Sequence, residues 1–214
     1  MYVGRIVSIG RTQDGRLTAM YRVSSRSFPN RRAVEMGGKI AIIPKPGFEG
    51  DIYKNPYIAY NCLRLASGCA VATNGSHTDP VAEKLDAGMS LRDALVTAMF
   101  GMDYEHDQLN TPRISAIVKK GSDRGYLGIV RHDALLVQEY TLKPGEAYYI
   151  ATYEHNYPCP QFRDGGFDVK NAAEACQYLL GRGVFASLEK PVTAVCAVET
   201  ADGFEIAFCD AEAK

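Results

Sequence analysis

The feature that most constrains the fold of this chain is a long series of short apolar runs separated by turn signals. Runs of this length, rich in β-branched and aromatic residues, are typical of β-strands. The first two, YVGRIVSIG and LTAMYRV, flank a Gln13-Asp14-Gly15 turn and predict a β-hairpin. Further strand candidates are KIAIIP, YIAYNCLRLA, CAVATN, RISAIVKK, YLGIVR, ALLVQEYT, AYYIATY, VTAVCAVE and FEIAFC.

Helical signals are fewer. DPVAEKLDAG carries Pro80 where it suits a first helical turn, and SLRDALVTAMFGMDYE begins with Ser90, a residue that can cap a helix. A third apolar stripe of helical period predicts a helix from about Asp168 to Gly181. Strands joined by turns, with a few amphipathic helices, predict an α+β fold of largely antiparallel sheets with helices packed outside.

Length and composition suit a single domain over residues 1–214, because 214 residues with 46% hydrophobic content can bury a substantial core. No run of about 18 apolar residues or signal-peptide core is present, so we expect a cytoplasmic protein without a membrane partner. Six widely spaced cysteines without a CxxC pair predict buried free thiols. A net charge of −1 gives no broad basic surface for nucleic acid.

Residues 21–32, YRVSSRSFPNRR, concentrate four arginines and three serines in twelve positions. The planar guanidinium fork matches phosphate oxygens, and a serine-rich turn adds hydroxyl and backbone N–H donors. Side chains alternate along a strand, so we expect only two of the arginines to converge. Two interpretations stay open at this point: a site for a small anionic ligand, or a solvated loop with unrelated surface arginines.

Glu105 is the candidate for proton transfer. In the helix that begins at Ser90 it continues the apolar stripe, so its carboxylate would point inward from the last helical turn. Burial and the negative end of the helix dipole would both raise the pKa of Glu105. The alternative is a helix that stops near Met102, with Glu105 on a solvated loop. The stripe consists of Leu91, Ala94, Leu95, Ala98, Met99 and Met102.

Other polar residues allow both a functional and a structural interpretation. Tyr57 and Asn61 share one face of a strand candidate, and Tyr60 lies on the other face. A tyrosine at these positions can either contact a ligand or be a buried structural residue. His77 lies in a turn before a helix and is expected to shape that turn. It has no second ligand at suitable spacing, so we expect no metal site. Neither GxGxxG nor GxxxxGK occurs, so a dinucleotide or P-loop site has no support.

Five strings together, MYVGRI, YRVSSRSFPNR, NPYIAYNCLR, TNGSHTDPVAEKL and MDYEHDQLNTPRI, resemble the archaeal-type IMP cyclohydrolase family. The resemblance is specific over roughly residues 1–118 and looser afterwards. It implies a four-layered αββα sandwich like that of N-terminal-nucleophile hydrolases, with a pocket between the two sheets. It also implies closure of 5-formamidoimidazole-4-carboxamide ribonucleotide to inosine monophosphate (IMP), a purine nucleotide as the partner, and no metal or organic cofactor. A homo-oligomer is left open.

The resemblance also implies roles for residues. Glu105 would move the proton, Tyr60 or Arg31 would stabilise the oxyanion, and Arg26 with Arg31 would hold the 5′-phosphate or orient the carboxamide. The expected binding residues are Arg22, Ser24, Ser25, Arg26, Tyr57, Asn61, Asn74, Tyr104, Asn110, Thr111 and Arg113.

Two other functions remain as alternatives. An N-terminal-nucleophile amidohydrolase would need a freed Ser, Thr or Cys at its N-terminus, where this sequence has Met1 and Tyr2. We therefore expect no internal autoproteolysis. A non-catalytic nucleotide sensor would keep the arginines but would not need a buried carboxylate, so Glu105 discriminates between sensor and enzyme.

Overall fold

A computed structural model describes residues 1–212, and within them the chain forms an α+β fold with two antiparallel sheets and four α-helices. The strands are β1 (Ile6–Arg11), β2 (Leu17–Ser24), β3 (Arg31–Met36), β4 (Lys39–Pro44), β5 (Tyr60–Ala66), β6 (Cys69–Thr73), β7 (Arg113–Lys119), β8 (Arg124–Arg131), β9 (Ala134–Thr141), β10 (Glu146–Ala151), β11 (Arg163–Asp164), β12 (Pro191–Glu199) and β13 (Phe204–Asp210). The helices are α1 (Asp51–Lys54), α2 (Thr78–Asp86), α3 (Leu91–Met102) and α4 (Ala172–Gly181).

Each sheet is built from antiparallel neighbours. The first sheet has the order β11-β10-β1-β2-β12-β13, and the second has the order β3-β4-β5-β6-β7-β8-β9. The predicted hairpin is confirmed, since β1 pairs antiparallel with β2 with Arg11 opposite Leu17. Every strand candidate named from the sequence contains a strand of the structure.

Alternation along the strands distributes side chains between three hydrophobic clusters. In β2, Leu17, Ala19, Tyr21 and Val23 belong to a cluster shared by both sheets, whereas Met20 packs in a second cluster with α4. A third cluster joins the second sheet to α2 and α3 through residues such as Val71. Successive strand residues point to opposite faces, so β2 is buried on both sides.

Two strands and one α-helix escaped the sequence analysis: β3, β11 and α1. In the sequence of β3, RRAVEM, only Arg31 and Ala33 are buried, so the segment lacks the apolar pattern that marks a strand. It lies at the edge of the second sheet. The omission matters because this strand, and not a solvated loop, positions Arg31.

The helix boundaries differ from the prediction at two points. Ser90 caps α3 as expected by accepting a hydrogen bond from the Asp93 N–H (3.2 Å), but the helix ends at Met102, before Glu105. The following Asp103 has a φ of 56°, a left-handed value that stops the helix. The last helix begins at Ala172 rather than near Asp168, because Asn171 caps it.

Among residues 1–212, no helix is long and apolar enough to cross a membrane.

Candidate active site

A cavity of about 250 Å³ opens where the start of the chain, the loop before β3, the turn before β5 and the loop after α3 meet. Five of the residues expected from the sequence line it: Ser25, Arg26, Arg31, Tyr57 and Glu105. Its other lining residues are Tyr2, Arg5, Ser27, Phe28, Asn55, Ile58, Asp107, Leu109 and Tyr153. We therefore take this cavity as the candidate active site.

A larger cavity of about 330 Å³ lies next to it and shares Leu109 and Tyr153 with it. The cation in its wall, Arg131, is already paired: Nε and Nη2 donate to Asp133, and Nη1 donates to Asn156. An arginine with its donors occupied has little to offer an anionic ligand. The chemistry therefore concentrates in the smaller cavity.

Glu105 lies in the loop after α3, with only 1% of its surface exposed. Its backbone N–H donates to the Thr111 carbonyl (2.8 Å), which closes the loop, and Arg5 donates to the carboxylate oxygen Oε2 (3.2 Å). The other oxygen, Oε1, is buried and accepts no hydrogen bond from residues 1–212. Each of the two sequence-based interpretations of Glu105 was correct in one part. The carboxylate points inward, as the first expected, but it lies on a loop after the helix, as the second expected.

Burial raises the pKa of Glu105 to about 7, against the opposing effect of Arg5 and Arg113. The expected direction of the pKa shift is present, and of the two expected causes desolvation applies, whereas the end of the helix does not, because Glu105 lies outside α3. A carboxyl group that titrates near neutral pH can both accept and donate a proton under ordinary conditions. Burial lowers the pKa of Arg5, but the neighbouring Glu105 carboxylate raises it, and the net shift is upward.

Arg31 provides the cation best placed for a ligand. It is 3% exposed, and its Nε donates to the Phe28 carbonyl (3.0 Å), which holds the guanidinium from one end. Arg26 lies at the rim, where it pairs with Glu189 (3.1 Å) and stacks on Tyr2 with its guanidinium carbon 4.3 Å from the ring centroid. The two arginines thus line one cavity but differ in burial, and Arg31 is the more constrained.

Two tyrosines meet behind the cavity. The hydroxyl groups of Tyr21 and Tyr60 are hydrogen-bonded to each other, and both rings belong to the cluster between the sheets. Burial raises the pKa of Tyr60, while Arg31 and Arg5 oppose the increase, which places both guanidinium groups in its electrostatic range. Tyr57 lies on a 3₁₀ turn over Pro56–Ile58 rather than on the strand, so it does not share a face with Asn61 as expected.

Arg113 and Thr111 lie beside Glu105. Arg113 is 5% exposed, its Nη1 is 4.0 Å from Glu105 Oε1, and its guanidinium carbon is 5.7 Å from the Tyr57 ring centroid. The Thr111 hydroxyl is bonded to Asp107 (2.8 Å) and to the Tyr153 hydroxyl (3.2 Å). Both residues support the wall of the cavity without being part of its lining.

The structure places Arg22 and Ser24 away from the cavity, contrary to expectation. Arg22 is fully buried, and it donates to the Ser24 hydroxyl and to four backbone carbonyls that follow or end α4. Strand alternation turns Arg22 towards the α4 side of the first sheet, away from the cavity. The four carbonyls are those of Leu179, Phe185, Leu188 and Glu189.

Four further binding predictions also fall outside the cavity lining. The Asn61 amide donates to Asp79 (2.6 Å), and Asn74 is occupied on both sides, by the Pro112 carbonyl and the Ile114 N–H. These amides tie neighbouring elements together. Tyr104 packs on His106 with ring centroids 4.3 Å apart, and Asn110 lines the larger cavity.

The sequence analysis missed Arg5, Asp107 and Tyr153 as site residues. Arg5 precedes β1 in the string MYVGRI, and Arg5 Nη1 donates to the Tyr153 hydroxyl (3.4 Å) while its Nη2 holds Glu105. The two carboxylate oxygens of Asp107 shape the loop by accepting from Leu109 and Thr111. The signals for Arg5 were its charge next to a strand and its place in MYVGRI, one of the strings that carry the resemblance, whereas nothing local marks Tyr153. Within residues 1–212, no group of three His, Cys, Asp or Glu side chains is arranged to hold a metal ion.

Comparison with known proteins gives a consistent result. A family model described as "IMP cyclohydrolase-like protein" matches residues 2–203. A protein of Methanosphaera stadtmanae named IMP cyclohydrolase is 49% identical over 209 residues, which cover 97% of this chain and 98% of that protein. Proteins of the same name from Methanocella arvoryzae and Methanocaldococcus jannaschii are 46% and 42% identical, covering 96% and 97% of this chain and 96% and 98% of their own lengths.

Proposed function

This chain belongs to the IMP cyclohydrolase-like family, and on that premise we propose that it is an enzyme that converts 5-formamidoimidazole-4-carboxamide ribonucleotide to IMP and water. The carboxamide nitrogen attacks the formyl carbon, and the new C–N bond closes the six-membered ring. The formyl oxygen then leaves as water with two protons, one from the attacking nitrogen and one from the formamide nitrogen. The ring is completed by a C=N bond.

Glu105 carries this proposal. It is a buried carboxyl group in the wall of a cavity, its pKa is near 7, and its Oε1 is free of hydrogen bonds from residues 1–212. Such a group can take the proton from the attacking nitrogen and pass it to the departing oxygen. Arg5 holds Oε2 and so fixes the orientation of the carboxylate in the cavity wall. Positioned acid–base catalysis of this kind contributes about 10²–10⁴-fold to rate.

Binding and orientation would come from the cations around Glu105. Arg31 is held through Nε, so its two Nη groups can bind the developing oxyanion or a phosphate as a planar fork. Because the reaction is intramolecular, fixing the rotamer that brings nitrogen and formyl carbon together can supply several of the ~7–11 kcal/mol available from orientation. We propose Tyr60, with its partner Tyr21, as a further hydroxyl donor, and Arg26, Ser25 and Tyr57 as binding residues.

The architecture of the chain supports finer proposals of the same kind. We propose that residues 1–214 form one domain, and that its layers follow the αββα sandwich of N-terminal-nucleophile-type hydrolases. The three hydrophobic clusters support this order of layers, since one joins the two sheets and the others join each sheet to its own helices. We also propose a cytoplasmic location, which fits the four buried thiols of Cys62, Cys69, Cys176 and Cys196.

The direct test is to incubate the purified protein with the formylated ribonucleotide and to measure IMP by chromatography. We expect IMP to form far faster than in a protein-free control. The alternative of a nucleotide sensor predicts that IMP binds, as measured by calorimetry, while no IMP forms above the control rate. That outcome would reject the enzymatic function and keep the cavity as a binding site.

A further inference from the structure

Tyr153, which follows β10, lies between two residues that hold Glu105. Its hydroxyl oxygen accepts a hydrogen bond from Arg5 Nη1 (3.4 Å) and lies 3.2 Å from the Thr111 hydroxyl oxygen. Its ring also contacts Arg5, whose guanidinium carbon is 5.7 Å from the ring centroid, a distance within the range of a cation–π contact. The reaction proposed above assigns no role to Tyr153, so its place at this junction requires an explanation.

Both partners of the Tyr153 hydroxyl are bonded to Glu105 itself. Arg5 Nη2 donates to the carboxylate oxygen Oε2 (3.2 Å), and the Thr111 carbonyl accepts from the Glu105 backbone N–H (2.8 Å). The first contact restrains the carboxylate, and the second restrains the backbone of the loop that carries it. The two restraints on Glu105 therefore meet at a single hydroxyl group.

The hydrogen atoms of this network can point in only one direction. A guanidinium only donates and a carboxylate only accepts, so an Arg5 N–H points to Tyr153 and the Thr111 O–H points to Asp107 (2.8 Å). The Tyr153 hydroxyl then donates its own hydrogen to Thr111. This hydroxyl group thus accepts and donates at the same time, and a phenylalanine side chain could do neither.

The backbone beside Arg5 keeps the Tyr153 ring in place. The Tyr153 N–H donates to the Val3 carbonyl (3.1 Å), and the Thr152 N–H donates to the Arg5 carbonyl (3.1 Å). Gly4 has a φ of 77° and lies directly against the ring, since an added Cβ would be 2.6 and 2.8 Å from two ring carbons. Because Gly4 has no side chain, the segment before β1 can pack on Tyr153.

We propose that Tyr153 is a positioning residue for the proton transfer assigned to Glu105. Its hydroxyl keeps the Arg5 guanidinium against Oε2 and keeps Thr111 bonded to the Glu105 backbone, so the carboxylate holds one orientation in the cavity wall. Placement of a reacting group matters strongly, since a displacement of about 1 Å can lower a rate by ~10²-fold. This inference rests on the proposed role of Glu105 as the proton shuttle.

Tyr153 also lines the cavity, so direct contact with the ligand is the competing role. The two roles differ in protein without ligand, where only a positioning role predicts a change in the titration of Glu105. Tyr153→Phe removes one oxygen and leaves in place all the other charged or titratable groups around Glu105. These are Arg5 before β1, Arg31 on β3, Tyr60 on β5, His77 before α2, Asp107 in the loop after α3, and Arg113 on β7.

The primary measurement is the titration of Glu105 in ligand-free protein, by NMR of ¹³C-labelled glutamate carboxyl groups, with Glu105→Gln to assign the signal. The Arg5 charge lowers the pKa of Glu105, so a less firmly held Arg5 should raise it. We expect the midpoint to rise by about half a pH unit or more in Tyr153→Phe, a part of the ~1–3 units that a whole opposite charge supplies. An unchanged midpoint would overturn the proposal.

The kinetic measurement separates positioning from binding. In Tyr153→Phe we expect kcat to fall by about tenfold or more, because the carboxylate is less well placed, while IMP affinity changes little. Weaker IMP binding together with an unchanged Glu105 midpoint would assign Tyr153 to ligand contact and refute the positioning role.

Tyr149→Phe is the matched control. Tyr149 lies on β10, and its hydroxyl is also bonded to a side chain, at His155 Nδ1 (2.9 Å), but it packs in the hydrophobic cluster that joins the first sheet to α4. Each variant loses one hydroxyl group and its hydrogen bonding. A raised midpoint in Tyr153→Phe alone would support the proposal, whereas equal shifts in both variants would show a general loosening of the fold and contradict it.

A double-mutant cycle tests whether Tyr153 acts through Arg5. In the Arg5→Met background, Tyr153→Phe should no longer raise the Glu105 midpoint, because the charge that it positions is absent. A shift of the same size in both backgrounds would refute action through Arg5. Gly4→Ala is an independent variant, since its methyl group must displace the Tyr153 ring, and an unchanged midpoint there would also contradict the proposal. The titration needs no turnover, so its outcome is independent of whether the protein forms IMP.

Discussion

Arg22 on β2 and Arg113 on β7 are both buried arginines, but they differ in the hydrogen-bond acceptors around them. Under α4, each donor of Arg22 has an acceptor, in the Ser24 hydroxyl or a backbone carbonyl. Beside the cavity, Nε and Nη1 of Arg113 have none among residues 1–212. Burial of a polar group is stable when its hydrogen bonds are complete. The complete network indicates a structural role for Arg22, whereas Arg113 lies beside the Glu105 carboxylate without a hydrogen bond from residues 1–212.

The largest expected effect concerns the stability of the Arg22 region. Arg22→Met would leave carbonyls at the end of α4 and in the following turn without donors, at about 1–3 kcal/mol for each buried group. We expect a loss on the order of 5 kcal/mol in the free energy of unfolding, measured by urea titration. Arg113→Met is the control and should cost less stability, because it breaks no hydrogen bond among residues 1–212 and leaves the Glu105 carboxylate paired with Arg5. Similar losses of unfolding free energy in the two variants would show that the two arginines do not differ in their contribution to stability.

The second prediction concerns pH and the burial of Glu105. The unfolded chain loses the proton of Glu105 near the ordinary pKa of 4.5, whereas the folded chain keeps it to about 7. Between these two pKa values the folded state therefore binds more protons than the unfolded state. The contribution of Glu105 to stability is complete below the pKa of the unfolded chain and is lost as the pH rises through the pKa of the folded chain. The loss amounts to about 3 kcal/mol.

Glu105→Gln removes this titration, so it is the reference for the measurement. The difference in unfolding free energy between wild type and variant should change by that amount between about pH 4 and about pH 8. Urea unfolding at a series of pH values provides the data. A constant difference would show that Glu105 titrates normally in the folded protein.

The third prediction addresses the chemistry at the incomplete site. Glu105→Gln keeps the volume and hydrogen-bonding capacity of the side chain but removes its titratable proton, so turnover should fall by ~10²-fold or more. IMP affinity, measured by calorimetry, should change little. Near-normal turnover would exclude Glu105 as the proton shuttle. Joint loss of binding, turnover and melting temperature would make Glu105 a structural partner of Arg5.

The smallest effect is expected at the arginines of β3. Ala33 packs between the sheets, and Arg31 shares its face, whereas Arg32 points to the other side. Arg31→Lys keeps the charge but loses the planar fork, so we expect turnover or IMP affinity to fall by about tenfold, close to 1.4 kcal/mol. Arg32→Lys should have no comparable effect. Equal and negligible effects would mean that Arg31 does not contact the ligand.

Local sequence patterns determined much of this protein. The alternation and turn residues of the apolar runs predicted the strands, and Ser90 predicted the start of its helix, because these signals act between residues close in the chain. The inward carboxylate of Glu105 and the position of Arg31 in the cavity lining also agree with the expectation, although a loop and an unrecognised edge strand hold them.

Only the tertiary structure decided which polar residues meet. Arg5 and Glu105 are 100 positions apart in the chain, and Arg22 reaches carbonyls more than 150 positions away. The sequence contains no local signal for such distances, so Arg22 and Arg31, only nine positions apart, had to be treated as one cluster. Packing of the sheets separates them: one arginine meets backbone carbonyls that satisfy it, and the other meets a cavity. Whether a buried arginine stabilises the fold or keeps N–H donors free for a ligand is decided by its environment, and residues distant in the chain form that environment.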